Sequence, residues 1–286
     1  MRSCSVILAR SLLALALACN TAPGAEDPTD SREINFQLLD AARSGDAAAV
    51  TRLLQEGASV KTRNRSGATP LILAARGGHT AAARALLTAG AEVDQPNLER
   101  STPLIEAASG GHLDTATLLI EQGADVDHVD QRLLSPLMHA VYGGHTALVK
   151  LLLDHGAKVD LVDRTGKSAL VYAAASGNEE SLELILSHGV DVNERFQNEL
   201  TALMWAAGYG HVDAIDTLLK AGAKINVRDN RGMTTLMIAA AEGYDGAVRR
   251  LLAGGADRSL TDHDGKTARA LAAAAGHTAV VELLSQ

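Results

Sequence analysis

The sequence predicts an all-α solenoid of helix–loop–helix units joined by β-turn fingers. Three observations carry that prediction. Two glycine series and one leucine series recur every 33 residues in a single register. Aromatic residues are only 2% of a chain that is 47% apolar, so the core must be built from Ala, Leu, Val and Ile. Such a core suits short helices in close approach better than a wide sheet sandwich. Each 33-residue unit also carries the start and stop signals of two helices.

The first glycine series is Gly45, Gly78, Gly111, Gly144, Gly177, Gly210, Gly243 and Gly276; the second runs Gly57, Gly90, Gly123, Gly156, Gly189, Gly222 and Gly255. Leu38, Leu71, Leu104, Leu137, Leu170, Leu203 and Leu236 form the third. A fixed period of this length means stacked units that bury their apolar faces on one another. Residues 64–96 show the unit. Gly67 gives a turn, Thr69 caps a helix, and Pro70 stands at its first position, where a missing N–H does no harm. Leu71, Ala74 and Ala75 form the buried stripe. Gly77 and Gly78 break the helix. Thr80 begins a second helix with Leu86 and Leu87 buried, and Gly90 is placed to stop it in a left-handed C-cap.

The units fall at 64–96, 97–129, 130–162, 163–195, 196–228 and 229–261, with atypical ends at 32–63 and 262–286. The first unit carries Arg32, Glu33, Gln37 and Asp40. The last has Arg269 in the leucine series and Leu284-Ser285 in place of the second helix's apolar pair. Both ends read as solvent-facing caps. Asp30-Ser31-Arg32-Glu33 offers a capping-box-like start for the first helix.

The segment Thr69-Pro70-Leu71-Ile72-Leu73-Ala74-Ala75-Arg76-Gly77-Gly78-His79 resembles the ankyrin repeat, as do Thr102-Pro103-Leu104 with Gly111-His112 and Ser135-Pro136-Leu137 with Gly144-His145. Thr201 to Ala207 with Gly210-His211 follows the same pattern. The resemblance covers about residues 32–286 and implies an ankyrin-repeat solenoid. One departure recurs: the family's usual His after Pro-Leu is replaced by Ile72, Ile105, Met138, Val171, Met204 and Met237. Its hydrogen bond to the finger is then absent, and less rigid fingers are expected.

Residues 1–18 read as a removable secretory signal. Arg2 supplies positive charge, and Ser11 to Ala18 is an apolar run too short to span a bilayer. Ala16-Leu17-Ala18-Cys19 resembles the lipobox of bacterial lipoproteins, which implies acylation of Cys19. Asn20 is not the Asp that retains such lipoproteins at the inner membrane, which by analogy favours the outer membrane. Ordinary cleavage after Ala18 or Ala25, leaving a soluble periplasmic protein, is the alternative. Residues 19–31 read as a flexible tether without apolar periodicity.

Chemistry is hard to find. Cys4 and Cys19 are the sole cysteines, so the repeats have neither a disulfide framework nor a thiolate. His79, His112, His145, His211 and His277 recur by period, which marks them as structural, closing the loop between helices. His155 and His188 suit the negative end of the second helix. His139, Tyr172 and Trp205 share one helical slot and read as packing. His128 and His263 sit at turns without a companion at metal-ligand spacing. Asp125, Asp127, Asp160 and Asp191 read as finger residues. No phosphate loop, metal-ligand doublet or nucleophile elbow is present. The expectation is therefore a non-enzyme with no catalytic residue, cofactor or metal. A net charge of −8 argues against nucleic acid.

In ankyrin arrays the partner typically contacts the finger tips and first helices, which line the concave face. The positions matching that face are Arg65, Arg76, Leu98, Glu99, Gln131, Arg132, Leu134, Tyr142, Arg164, Lys167, Gln197, Leu200, Tyr209, Arg231, Met233 and Glu242. The set mixes basic with apolar and aromatic side chains, which suits a protein with an acidic surface. The expected protein is a monomer that touches a membrane only through its N-terminal lipid and binds a partner protein in a bacterial envelope, regulating or protecting it. A structural or self-associating envelope lipoprotein, or a secreted effector of host proteins, are the alternatives.

Overall fold

The computed structural model describes residues 28–286. The leader, Cys19 and most of the tether lie outside the described residues. Sixteen α-helices occur among those described, in eight pairs. They are α1 (Pro28–Ser44) with α2 (Ala47–Gln55), α3 (Pro70–Arg76) with α4 (Thr80–Thr88), and α5 (Pro103–Gly110) with α6 (Leu113–Glu121). Next come α7 (Pro136–Tyr142) with α8 (Thr146–Asp154), and α9 (Ala169–Ser176) with α10 (Glu179–Ser187). The last are α11 (Ala202–Gly208) with α12 (Val212–Lys220), α13 (Thr235–Glu242) with α14 (Asp245–Ala253), and α15 (Ala268–Ala275) with α16 (Thr278–Leu283).

The caps form as their residues dictate. The Thr69, Thr102, Ser135, Thr201, Thr234 and Thr267 hydroxyls each accept from the backbone N–H three residues on. Such a bond removes one of the orphan donors of a helix start, at about 1 kcal/mol apiece. First helices pack on first helices and second on second. The first-helix row is the tighter, because fully buried alanines such as Ala74, Ala107, Ala140, Ala173 and Ala206 let the backbones approach. The stack therefore curves with the first helices and fingers on its inner side. Helix α1 begins at Pro28, inside the segment read as tether. The capping signal at Asp30 and Ser31 is overridden, and a proline near a helix start is well placed. The end residues Arg32, Glu33, Gln37, Asp40, Arg269 and Ser285 are exposed, as caps require, whereas Leu284 stays in the core.

Three bonds recur between neighbours. His79, His112, His145, His211 and His277 each place Nε2 on a carbonyl 36 residues earlier, at 2.9 to 3.3 Å. They tie one repeat to the one before it, rather than closing their own loop as the sequence suggested. Asp94, Asp127, Asn193 and Asn226 accept from the backbone N–H 31 residues on, at Asp125, Lys158, Lys224 and Asp257. Finger tips pair backbone to backbone, as Leu98 N–H to Ser66 O, Gln131 to Glu99 and Arg164 to Arg132. Within every finger but the one at Phe196 an Asx side chain accepts two N–H groups: Asn64, Asn97, Asp130, Asp163, Asp229 and Asp262 all do so. These bonds hold the fingers without the family's missing His.

The joint between repeats 4 and 5 departs from this pattern. Asn178 stands in the His slot and caps its own helix by accepting from Ser181 N–H at 3.0 Å. Asp160 makes no bond to Asp191 N–H among the described residues. Glu194 beside them is pushed above its ordinary pKa by burial and by the charges of Asp191 and Asp160.

Gly111 has φ +71°, and a Cβ there would lie 2.5 Å from the His145 ring. Gly144 has φ +72°, but its nearest neighbour would be Asn178 Nδ2 at 3.9 Å. Gly144→Ala should therefore cost only the left-handed strain, about 1–2 kcal/mol. Gly111→Ala should cost about 1 kcal/mol more, because it also displaces a hydrogen-bonded imidazole. Urea midpoints of the two variants check the difference.

Candidate functional site

The inner face is a groove floored by the first helices and walled by the fingers. Its middle carries the aromatic residues. Tyr142, at the end of α7, is 76% exposed and meets Tyr172 edge-on with ring centroids 6.0 Å apart. Tyr209, just past α11, is 52% exposed and stacks on Trp205 at 6.2 Å and on His211 at 6.2 Å. Lys167 reaches over Trp205 with Nζ 4.8 Å from the ring centroid, a contact worth about 1 kcal/mol at a half-exposed site. A cleft of about 350 Å³ opens here, lined by Leu200, Trp205, Tyr209, Arg231, Glu242 and Tyr244 among others.

One slot explains how this region is built. His139, Tyr172 and Trp205 share this slot, and the first two bond to the residue nine positions earlier, at the base of their finger. His139 Nε2 lies 3.1 Å from Asp130 Oδ2, and the Tyr172 hydroxyl donates to Asp163 Oδ2 at 2.6 Å. In repeat 6 that finger residue is Phe196, which is buried and cannot accept. The Trp205 Nε1 is left buried without a partner. The finger above it changes too. Residues Gln197–Glu199 form a short 3-10 turn with φ +63° at Asn198 and +62° at Glu199. Burial pushes Asp163 up, but hydrogen bonds from Tyr172, Lys167 N–H and Thr165 outweigh it, so its carboxyl sits below the ordinary value. Burial and the bond to Asp163 push Tyr172 well up.

The structure brings most of the sequence-selected residues onto this face and changes the role of several. Leu98 is 73% exposed on its finger tip, and Arg65, Glu99, Gln131, Arg132, Arg164 and Gln197 are exposed on theirs. Leu134 is a correction: it is buried at 8%. It lies behind the tip, where its N–H donates to Asp130, and the outward residue is Leu133 at φ +64°. Lys167, Leu200 and Met233 share the Leu134 slot and are half-buried. Arg76 is bound by Glu106 through two bonds of 2.9 Å, so its charge is already answered. That bond also holds its pKa above the ordinary value. Arg231 is likewise bound by the buried Asp229, at 2.7 and 2.9 Å. Arg65, Arg132 and Arg164 carry no ion pair among the described residues. Glu242 lines the cleft. Sequence reasoning assigned Tyr172 and Trp205 to packing and missed Tyr244 and Phe36; the signal was available, since all belong to an aromatic set of seven.

The other histidines follow their helices and turns. His155 and His188 place Nδ1 on the carbonyls of Leu151 and Leu184 at helix ends, and His128 places Nε2 on Arg100 O. No group of three or more His, Cys, Asp or Glu side chains among the described residues could hold a metal ion. None of the described helices is long and apolar enough to cross a membrane.

A stack of two-helix units with hydrogen-bonded finger tips defines a repeat solenoid. The family model for ankyrin repeats matches at residues 38–130, 124–196, 192–257 and 236–286. The chain belongs to the ankyrin-repeat family, whose repeats generally serve as protein–protein interaction modules. No curated protein matches it.

Replacing Tyr172 with Phe removes a hydrogen bond to a buried carboxylate, which is worth about 1.5–3 kcal/mol. The folded pKa of Asp163 is lowered, so this stabilisation is present above the ordinary carboxylate range and lost as pH falls through the folded value. Urea unfolding should show Tyr172→Phe destabilised at pH 7, with the difference from the parent shrinking on acidification.

Proposed function

We propose that this protein is a binding scaffold of a bacterial cell envelope that captures a partner protein in its groove and regulates or protects it. The observation that supports this reading is two aromatic pairs in neighbouring repeats, Tyr142 with Tyr172 and Trp205 with Tyr209, the second under Lys167, in a face whose finger tips carry the unpaired Arg132 and Arg164. Exposed aromatic groups with arginines are the composition of interface cores rather than of solvated surface. Basic side chains on one face of an acidic chain favour a partner with an acidic surface. The protein acts as a monomer, so the groove stays open to that partner.

The leader favours export. Acylation at Cys19 tethers the repeats to a membrane facing the periplasm, and the outer membrane is the preferred site. A soluble periplasmic form follows if the leader is instead cut by the ordinary peptidase.

Two experiments test the reading. An exposed interface tyrosine that anchors a partner costs about 2 kcal/mol when truncated. Tyr142→Ala with Tyr209→Ala should then weaken capture of the crosslinked envelope partner by roughly 30-fold or more, with an unchanged urea midpoint; undiminished capture removes the site. Radiolabelled palmitate should enter the wild-type protein in cells and not the Cys19→Ser variant. Equal labelling of the two, or none in either, rejects the anchor.

A further inference from the structure

The N-terminal end of the groove holds a second cleft, of about 720 Å³, between α1 and the first finger. Its apolar wall is Phe36, 63% exposed, beside the buried Leu39. The chain's other phenylalanine, Phe196, is buried. Around this wall stand Arg32, Arg43, Arg63 and Arg65 against one carboxylate, Asp40. Asp40 is engaged only by Arg43, through an exposed pair at 3.4 Å that is worth little. Arg63 is fixed in place, donating to Gly67 O and Pro96 O at 2.9 Å each. Arg32 and Arg65 carry no ion pair among the described residues.

An apolar wall in a cleft lined by four arginines, two of them free of ion pairs and carbonyl bonds among the described residues, suits an apolar side chain with a carboxylate next to it. Guanidinium recognises carboxylate with paired donors, and the ring face of Phe36 supplies the hydrophobic contact. We infer that this cleft is a second anchor of the groove, seating an aromatic or aliphatic side chain of the partner protein that is flanked by an acidic group. The inference rests on the reading of the groove as a partner-binding face. Continuity supports it, since Arg65 belongs to the row of finger tips that runs on to the aromatic stripe.

N-acetyl-phenylalanine carries the required ring and carboxylate, and N-acetyl-phenylalanine amide carries the ring alone. A fragment of this size binds at about millimolar affinity. Titrated into the isotope-labelled full chain, the acid should shift the amides of residues 35–40 and 64–66. The neutral amide should bind about fivefold or more weakly. Arg65→Glu should remove that preference while leaving the weak binding of the neutral probe, and Phe36→Ala should weaken both. The Tyr142→Ala, Tyr209→Ala double variant should titrate like the wild type, which separates failure here from failure of the central stripe. Equal binding of acid and amide, or shifts elsewhere only, overturns the inference. So does acid binding that appears only when residues 1–27 are removed, because those residues would then be the occupant.

Discussion

The fold depends on how one repeat meets the next, and the meeting point is a glycine. Each first helix ends where the chain must turn left-handed to start the second helix. At Gly45, Gly78, Gly111, Gly177 and Gly243 the imidazole of the following repeat fills the space a Cβ would need. The same ring bonds to a carbonyl of the earlier repeat, at the end of its first helix. Backbone conformation, packing and hydrogen bonding therefore select glycine together, and they bind two units that could not bury their apolar faces alone. The Asx staples and the finger ladder repeat this logic further out from the core.

A stack held by neighbour-to-neighbour bonds can lose some of them locally without losing the whole. Most of the losses here gather in repeats 5 and 6, and in repeat 7 Tyr244 stands in the histidine slot against Gly210. Asn178 replaces the histidine's bond to the earlier helix end with a local cap and a 3.4 Å bond from its Nδ2 to Thr146 Oγ1, Asp160 and Asp191 are not stapled, and Gln197 drops out of the finger ladder. Phe196 takes the place of an acceptor and leaves Trp205 Nε1 with none, a debt of about 1–3 kcal/mol. These departures adjoin the exposed tyrosines. Local rules are most often broken where a surface is shaped for something other than stability.

How far the sequence could be read follows the range of each interaction. Period, caps and left-handed glycines were legible because each is decided within a few residues. Leu134 was misplaced because a positive φ at Leu133 turns that residue outward and its neighbour in. Arg76 was counted as an available charge because its partner Glu106 is 30 residues away. The histidines were recognised as structural, but their acceptors, 36 residues back, could not be seen from one repeat. The start of α1 at Pro28 was hidden because a capping motif further on resembled a better start. Phe36 escaped notice because the end repeat lacks the register that marks groove positions elsewhere.

The charge pattern of the groove now has a structural cause. Arg76 and Arg231 are spent on Glu106 and Asp229, so they stiffen the floor and a finger more than they attract. The charges left without an ion pair among the described residues are Arg65, Arg132 and Arg164, on finger tips, with Lys167 held over Trp205. A backbone bond fixes the Arg132 and Arg164 tips side by side, so the two charges are carried on adjacent fingers. The chain as a whole carries a net charge of −8, so its basic finger tips are where an acidic partner would meet least repulsion. On the proposed reading, basic finger tips on one face of an acidic chain would orient an acidic partner before contact, and the exposed Tyr142 and Tyr209 would supply the contact that retains it.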